Sequence, residues 1–501
     1  MNNYKLRLCA AILALASVTS VFVSCGSSDT GDTKTTEANT AADTAAATEE
    51  ITTDYMPVFP EKDYGGDEFL FLTSSDADDN GRDWETFDIY TEAATGDVIT
   101  DAVYERNMWL EETFNIKIGE YKCVTMTETK KAVQAGVTDY DAVITAIANG
   151  CSLGAENYIL DLTQVPNLDL KQPWWDQGVL RDTSINNRNY IATGDISIVD
   201  NEATWVLMFN KQMAQNLDLD LYQMVYDNQW DMETFYKYAQ QSVKDLNGDG
   251  KMYGPEDQFG FATSDQSAQG LMYASGLKLS SKDADDYPII ETNLEKLTEV
   301  VIAAGEIMSD ADTTIITTKN GIVDGDGLAA SDKLRMVFEE GRALFYGEVM
   351  ACVGRMRDSE TDFGLIPFPK YDLAQENYYH FVHKTAGKGV CIPTTQLDIE
   401  MAGLIIEAMA AKSVGTVTEA YYDKALTYKY MRDEESAKML DIILASRIYD
   451  LAYIYDWGSL FSQMFSLIVS GKDTVASTWD KRLSAAGKAL TKTVDAYKEN
   501  E

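Results

Sequence analysis

Short apolar runs alternate with helically spaced apolar positions along most of this chain. Phe69-Leu70-Phe71-Leu72-Thr73, just after Tyr64-Gly65-Gly66, is an unbroken apolar run of the length of a buried strand. From about Thr100 to Phe114 the apolar positions Ala102, Val103, Met108, Leu110 and Phe114 recur at helical spacing, with Asp101 in the first turn, where negative charge suits the helix dipole. Asn115 to Ile118 reads as a second strand, Thr127 to Ala135 as a short helix, and Tyr140 to Thr145 as a third strand. Strand and helix in strict alternation predict a parallel α/β layer. In such sheets ligands gather at the carboxyl ends of the strands.

A second α/β block begins near Trp205. Val206 to Phe209 is an expected strand and Lys211 to Leu217 a helix. Another helix opens at Trp230-Asp231-Met232, with Asp231 as its N-cap. Phe338 to Tyr346 runs from a helix end into a strand, and Asp362 to Pro367 is one more strand. From about Asp398 onward the pattern is mostly helical; Met401 to Ala411, broken by Glu407, reads as a core helix rather than a membrane span.

The amino end has a different character. Lys5 and Arg7 precede an apolar run from Leu8 to Val23, which has the length of a signal h-region. The run ends in Phe22-Val23-Ser24-Cys25-Gly26, which resembles the bacterial lipobox, apart from Phe22 where that motif usually has Leu. The resemblance implies a signal peptide over 1–24 and a diacylglyceryl group on Cys25; the alternative is an ordinary signal peptide with a chance cysteine. From Gly26 to about Tyr55 the residues are Thr, Ala, Ser, Asp and Glu with almost nothing apolar, so 25–58 is expected to be a disordered tether.

The 501 residues suffice for two domains. Their 81 acidic and 41 basic side chains leave a net charge of −40, which repels phosphate backbones and argues against a nucleic-acid partner. Cys123, Cys151, Cys352 and Cys391 follow no metal or redox spacing; they are either buried free thiols or include one disulfide. His380 and His383 are the only histidines, and no H-E-x-x-H, G-x-S-x-G or P-loop occurs, so enzyme readings have little support.

Two constellations carry candidate chemistry. Asp245-Leu-Asn247-Gly-Asp249-Gly250-Lys251-Met-Tyr253-Gly-Pro-Glu256 fits the calcium-loop pattern D-x-[DN]-x-[DN]-G-x5-E. Oxygens of Asp245, Asn247 and Asp249, the Lys251 carbonyl and a closing Glu256 could converge on one structural ion; the alternative is a solvated acidic turn. The second constellation is aromatic: among 28 Tyr and 8 Trp, Trp84, Trp174, Trp175, Tyr455 and Trp457 stand beside carboxylates or amides. Rings stack on the C–H faces of sugars, and carboxylates take their hydroxyls. Asp195, Glu348, Arg355 and Asp456 complete the candidate ligand set; for each residue the alternative is packing within the fold.

The order of segments resembles the extracellular solute-binding proteins of ABC importers, in the sugar-type group that includes maltose-binding protein. The resemblance rests on Tyr140-Asp-Ala-Val143, Leu160-Asp-Leu-Thr163, Trp205 to Lys211, Gln229 to Phe235, Phe338 to Tyr346 followed by Asp362 to Pro367, and Ile392-Pro393 before a long helix. The tail, through Tyr421, Asp433 and Trp457, is similar to a clostridial-type lipoprotein subset. The resemblance implies a two-lobed periplasmic-binding-protein-like α/β fold of type II, with hinge crossings around a central cleft. Lobe one is then expected at 60–194 plus 342–392 and lobe two at 195–341 plus 393–501. It further implies a monomer, anchored on the outer face of the membrane, that captures a carbohydrate and hands it to a permease without bond chemistry. A peptide or other polar solute, a secreted glycan-active enzyme, and a surface adhesin or sensor remain the alternatives.

Overall fold

The first strand is made by Phe69, Phe71 and Leu72, all of which are fully buried in a run that has apolar side chains on both faces. The computed structural model describes residues 56–75, 85–317, 319–325, 327–422 and 433–499. The expected signal peptide, the Cys25 lipidation site, the tether up to Tyr55 and the candidate ligand residue Trp84 lie outside the described residues.

In chain order the longer strands are β1 (Asp67–Ser74), β2 (Ile116–Cys123), β3 (Ala142–Ala146), β4 (Trp205–Asn210), β5 (Phe259–Thr263), β6 (Thr314–Ile316), β7 (Ala343–Val349), β8 (Phe363–Ile366) and β9 (Lys388–Cys391). The helices that matter here are α1 (Val98–Phe114), α2 (Thr125–Ala135), α3 (Ile147–Ala155), α4 (Met232–Gln241), α5 (Ser267–Ala274), α6 (Leu294–Ser309), α7 (Ile399–Ser413), α8 (Glu434–Ala445), α9 (Leu460–Ser470) and α10 (Val475–Glu499). Local chemistry sets their ends. Asp97 caps α1 by accepting from the Ile99 and Thr100 amides, and Asn115 leaves it in the left-handed region. Asp231 caps α4 through the Thr234 amide.

Among the described residues these strands form two separate sheets. The first has the order β9-β3-β1-β2, with β1, β2 and β3 parallel and β9 antiparallel to β3. The second has the order β8-β4-β7-β5-β6, in which β5, β6 and β7 are parallel and β4 runs against β7. This is a mixed α/β, two-sheet, periplasmic-binding-protein-like fold.

The chain passes from the first lobe to the second between Gly194 and Trp205, through the short helix Val199–Glu202. Gly194 has φ +139°, and a Cβ there would lie 2.1 Å from the Trp174 carbonyl oxygen, so only glycine fits at this departure point. The return lies between β8 and β9, and backbone bridges Thr204–Val382 and Ala192–Val390 bind the two passages together. A third passage leaves α7 through the π-turn Val414–Thr418, and the described chain resumes at Asp433, ahead of α8 on β8.

The expected lobe boundaries need correction. Within 342–392, β7 and β8 pair with β4 and β5 of the second sheet, and only β9 returns to the first. Within 393–501, α7 packs on α1 of the first lobe, and Pro393 bridges Ile159 there, so Ile392-Pro393 is not the last crossing. An apolar run specifies a strand but not its partner, because pairing is made between residues far apart in sequence. The continuous helix Ile399–Tyr422 is long and apolar enough by composition to cross a membrane, but 78% of its apolar window is buried within the protein, which makes it a core helix.

Candidate functional site

The passages leave and enter the two sheets at corresponding strand ends. The chain enters β4 at Trp205 directly from the first passage, and Trp205 pairs with Val349 at the carboxyl end of β7. Thr263, at the carboxyl end of β5, pairs with Gly347. In the first sheet the chain enters β9 at Lys388 from the second passage, opposite Ala146 at the end of β3. The carboxyl ends of the parallel strands of both sheets therefore border the passages, which is where ligands bind in open α/β sheets.

On the first lobe this edge carries Ser74, Glu85 and Lys388. The Lys388 ammonium donates to Ser74 Oγ at 2.6 Å and stands 3.5 Å from Glu85 Oε1. The adjoining segment is fastened to the first passage. Glu202 accepts from the Thr86 amide at 3.0 Å and the Thr86 hydroxyl at 2.5 Å. Asp88 accepts from the Ile198 amide at 2.5 Å and Ser197 Oγ at 3.2 Å. Burial pushes the Glu202 carboxyl up to about 8 and Asp88 to about 6, the latter opposed by the Arg106 guanidinium.

On the second lobe the edge carries Trp205, Asp265, Gln266, Gln269, Glu348 and Arg355. Trp205 Nε1 donates to Ser267 Oγ at 2.8 Å, which fixes the start of α5. Glu348 and Asp265 are half-buried. Burial raises Glu348 to about 7, with Asp265 adding to the shift and Arg355 opposing it. Asp265 is raised as well, again chiefly by burial. Arg355 donates to Asp332 at 3.0 Å.

Between the lobes sits a charged hub. Arg447 contacts Asp176 at 2.8 Å and Asp200 at 3.2 Å, and donates to Asn201 Oδ1 at 2.7 Å. The Tyr449 hydroxyl donates to Asp176 at 3.0 Å. Asp195, at the start of the first passage, accepts from Thr418 Oγ1 of the third at 2.8 Å, and burial lifts it to about 6. A water-sized cavity lined by Ile147, Tyr273, Phe381 and Lys384 lies between the halves.

Of the residues named from sequence, Asp195 ties the first passage to the third, while Glu348 lies in β7 and Arg355 in the short helix that follows it. Trp174 and Trp175 are buried in the first lobe, where Trp175 Nε1 donates to Glu407 of α7 at 3.0 Å. Tyr455 stacks on Trp457 with ring centroids 5.4 Å apart, and its hydroxyl donates to the Cys151 carbonyl at 2.9 Å. Trp457 Nε1 donates to Thr493 of α10, and Asp456 holds the Ser462 amide at 3.1 Å. These side chains seat the tail helices; a ring beside a carboxylate in sequence is equally the signature of a satisfied core residue. His380 is buried between the Phe368 amide and Ser446 Oγ, and burial lowers it to about 3. The four described cysteines are free thiols.

Sequence reasoning missed Glu85, Glu202, Asp265, Gln269, Lys388 and Arg447. Lys388, a lysine flanked by glycines in an apolar strand, was the one with a local signal. The others are ordinary polar residues until the passages bring them together.

In the acidic loop Gly248 and Gly250 adopt φ of 75° and 79°, the left-handed turns a cation loop requires. Asp245 accepts from the Gly248 and Gly250 amides at 2.6 and 2.8 Å, and Asp249 from the Lys251 amide at 2.9 Å. Glu256 accepts from Asn247 Nδ2 at 2.7 Å, while the buried Asp257 holds the Leu246 and Tyr253 amides. Among the described residues no three acidic, histidine or cysteine side chains converge as metal ligands.

No protein-family model matches this chain, and no curated protein does. Solved structures do. UspC of M. tuberculosis matches at 13% identity and a TM-score of 0.53, covering 84% of this chain and 100% of its own. A family 1 extracellular solute-binding protein from Bifidobacterium longum subsp. infantis matches at 12% identity and 0.51, covering 87% and 100%. The ABC substrate-binding protein Lmo0181 from Listeria monocytogenes, solved with cycloalternan, matches at 11% and 0.50, covering 87% and 99%. At these identities the likeness defines the fold class: the two-lobed architecture of extracellular solute-binding proteins.

Proposed function

We propose that this chain is the solute-capturing lipoprotein of an ABC-type importer, and that it takes a carbohydrate between its lobes. The reading is supported by the strand ends that border the passages, which carry Ser74, Glu85 and Lys388 on the first lobe and Asp265, Gln266 and Glu348 on the second. Half-buried carboxylates and amides are the groups that recognise hydroxyls. The match to Lmo0181, a protein solved with cycloalternan, supports the same solute class. Binding without bond chemistry would act by shifting the population toward a closed arrangement. The lipobox-like Cys25 accounts for retention at the outer face of the membrane, and a membrane permease is the partner that receives the solute.

A thermal-shift screen against mono- and oligosaccharides tests this reading. A true ligand at 100 times its Kd adds about 2.7 kcal/mol to stability. Absence of any carbohydrate response, or glycan turnover that is lost on changing one carboxylate, overturns it. We further propose that the 245–256 loop takes a structural calcium ion once Glu256 exchanges Asn247 for the metal. Calcium should then raise the melting temperature and a chelator lower it without any sugar present; an indifferent protein refutes the loop assignment.

A further inference from the structure

Two tight turns, one from each lobe, meet outside the three passages. In the first lobe Ile185 bridges Arg188 across the turn Asn186-Asn187, and both asparagines hold left-handed backbone, at φ 56° and 57°. In the second lobe a short hairpin pairs Ser281 with Ile289 and Lys282 with Pro288, and Asp286 in its turn has φ 63°. The turns are bonded tip to tip. The Asn186 amide donates to the Asp286 carbonyl at 3.1 Å, and the Asn187 amide donates to the Asp286 carboxylate at 2.8 Å. Lys282 Nζ crosses the same contact. It donates to Asp286 Oδ1 at 2.8 Å, to Ser184 Oγ at 2.5 Å and to the Arg181 carbonyl at 2.6 Å. Nearby, Lys278 stands 2.7 Å from Asp182.

Each turn is tied to its own lobe. Just after the first turn, the Asn189 carbonyl accepts from the Leu162 amide at 2.7 Å, and Ala192 bridges Val390 of β9. The second turn lies between α5 and α6. Helix α10, which packs on α6, also packs on this hairpin, with Lys498 Nζ 4.7 Å from the centre of the Tyr287 ring.

Left-handed backbone is strained for residues other than glycine, and Asn and Asp tolerate it best. Such strain persists where surrounding bonds hold it, and it gathers at clamps and switches. Here three strained residues share one contact, and an ammonium and a carboxylate strengthen the hydrogen bonds across it. A swing of one lobe against the other about the passages would carry the turns apart.

We propose that the paired turns form a clasp that fixes the angle between the lobes and must part before that angle changes. The clasp follows from the two-lobed fold and does not depend on which solute the cleft takes.

Hydrogen exchange of the ligand-free protein, read peptide by peptide, tests the clasp. Asp286→Gly removes the carboxylate and leaves a residue at ease with positive φ. Lys282→Met removes the ammonium and keeps an apolar stem. Each variant should speed exchange about tenfold or more in two places, the Asn186-Asn187 turn and the first-passage amides from Ile198 to Thr204. β1 and β5 should keep their wild-type rates. Faster exchange confined to the two turns overturns the clasp, because the contact is then only local. Faster exchange throughout, β1 and β5 included, overturns it as well, because the contact then supports the whole fold and not the lobe angle. Unchanged exchange at the first passage in either variant does the same. None of these outcomes bears on carbohydrate capture.

Discussion

Arg447 Nη2 stands 2.8 Å from an Asp176 carboxylate oxygen, joining a segment that follows α8 to a loop of the first lobe. The same guanidinium reaches Asp200 in the first passage, so one side chain holds three distant stretches of chain in register. Its position makes it a structural pin of the hinge.

Arg447→Met should therefore be strongly destabilising. It would leave Asp176 and Asp200 without their cation in a buried setting, a loss of about 3–5 kcal/mol. Urea denaturation measures it; a change below about 1 kcal/mol would show that the hub is not an energetic keystone.

Stability should fall as pH rises. Glu202 in the folded protein titrates near 8, raised from an ordinary value of 4.5 by burial. Between those values the folded state keeps a proton that the unfolded state has released, so each step up in pH favours unfolding. Asp88 (about 6), Glu348 and Glu407 (both about 7) act in the same direction. The melting temperature should decline between about pH 5 and pH 8, and Glu202→Gln should flatten the decline. A flat wild-type profile would contradict this.

Trp175→Phe should cost stability. The substitution keeps a ring but deletes the donor that Glu407 receives at 3.0 Å inside the first lobe. Glu407 keeps the Asp169 amide as a donor at 3.3 Å, so the loss expected is that of one buried hydrogen bond, about 1 kcal/mol, read by chemical denaturation.

The carboxyl-terminal helix α10 spans both lobes. It packs on α6 and α9 of the second, while the Tyr497 hydroxyl donates to the Cys151 carbonyl of α3 at 3.0 Å. Tyr497→Phe should weaken this strap by about 1 kcal/mol and expose α10 to limited proteolysis at lower temperature. Cleavage at the wild-type temperature would show that the hydroxyl does not hold the helix.

Much of the fold was legible in the sequence because its signals are local. The run Phe69 to Thr73 lies within β1, the spacing from Ala102 to Phe114 lies within α1, and Asp231 caps α4. The candidate site was legible only in part. Asp195 joins the first passage to the third, whereas Trp175 and Trp457 lie in packing positions, since an indole that satisfies its N–H in the core has the same neighbours in sequence as one that meets a ligand.

By itself the sequence determined that the chain builds alternating α/β layers and roughly where many of their elements lie, because periodicity, caps and turns act over a few residues, although β2 runs on to Cys123, past the expected end at Ile118. Only the tertiary structure decided that β7 and β8 join the second sheet, that α7 belongs to the first lobe, and that Arg447 meets Asp176. Strand pairing, burial and charge contact arise between residues far apart along the chain, and they depend on how three passages fold back on one another.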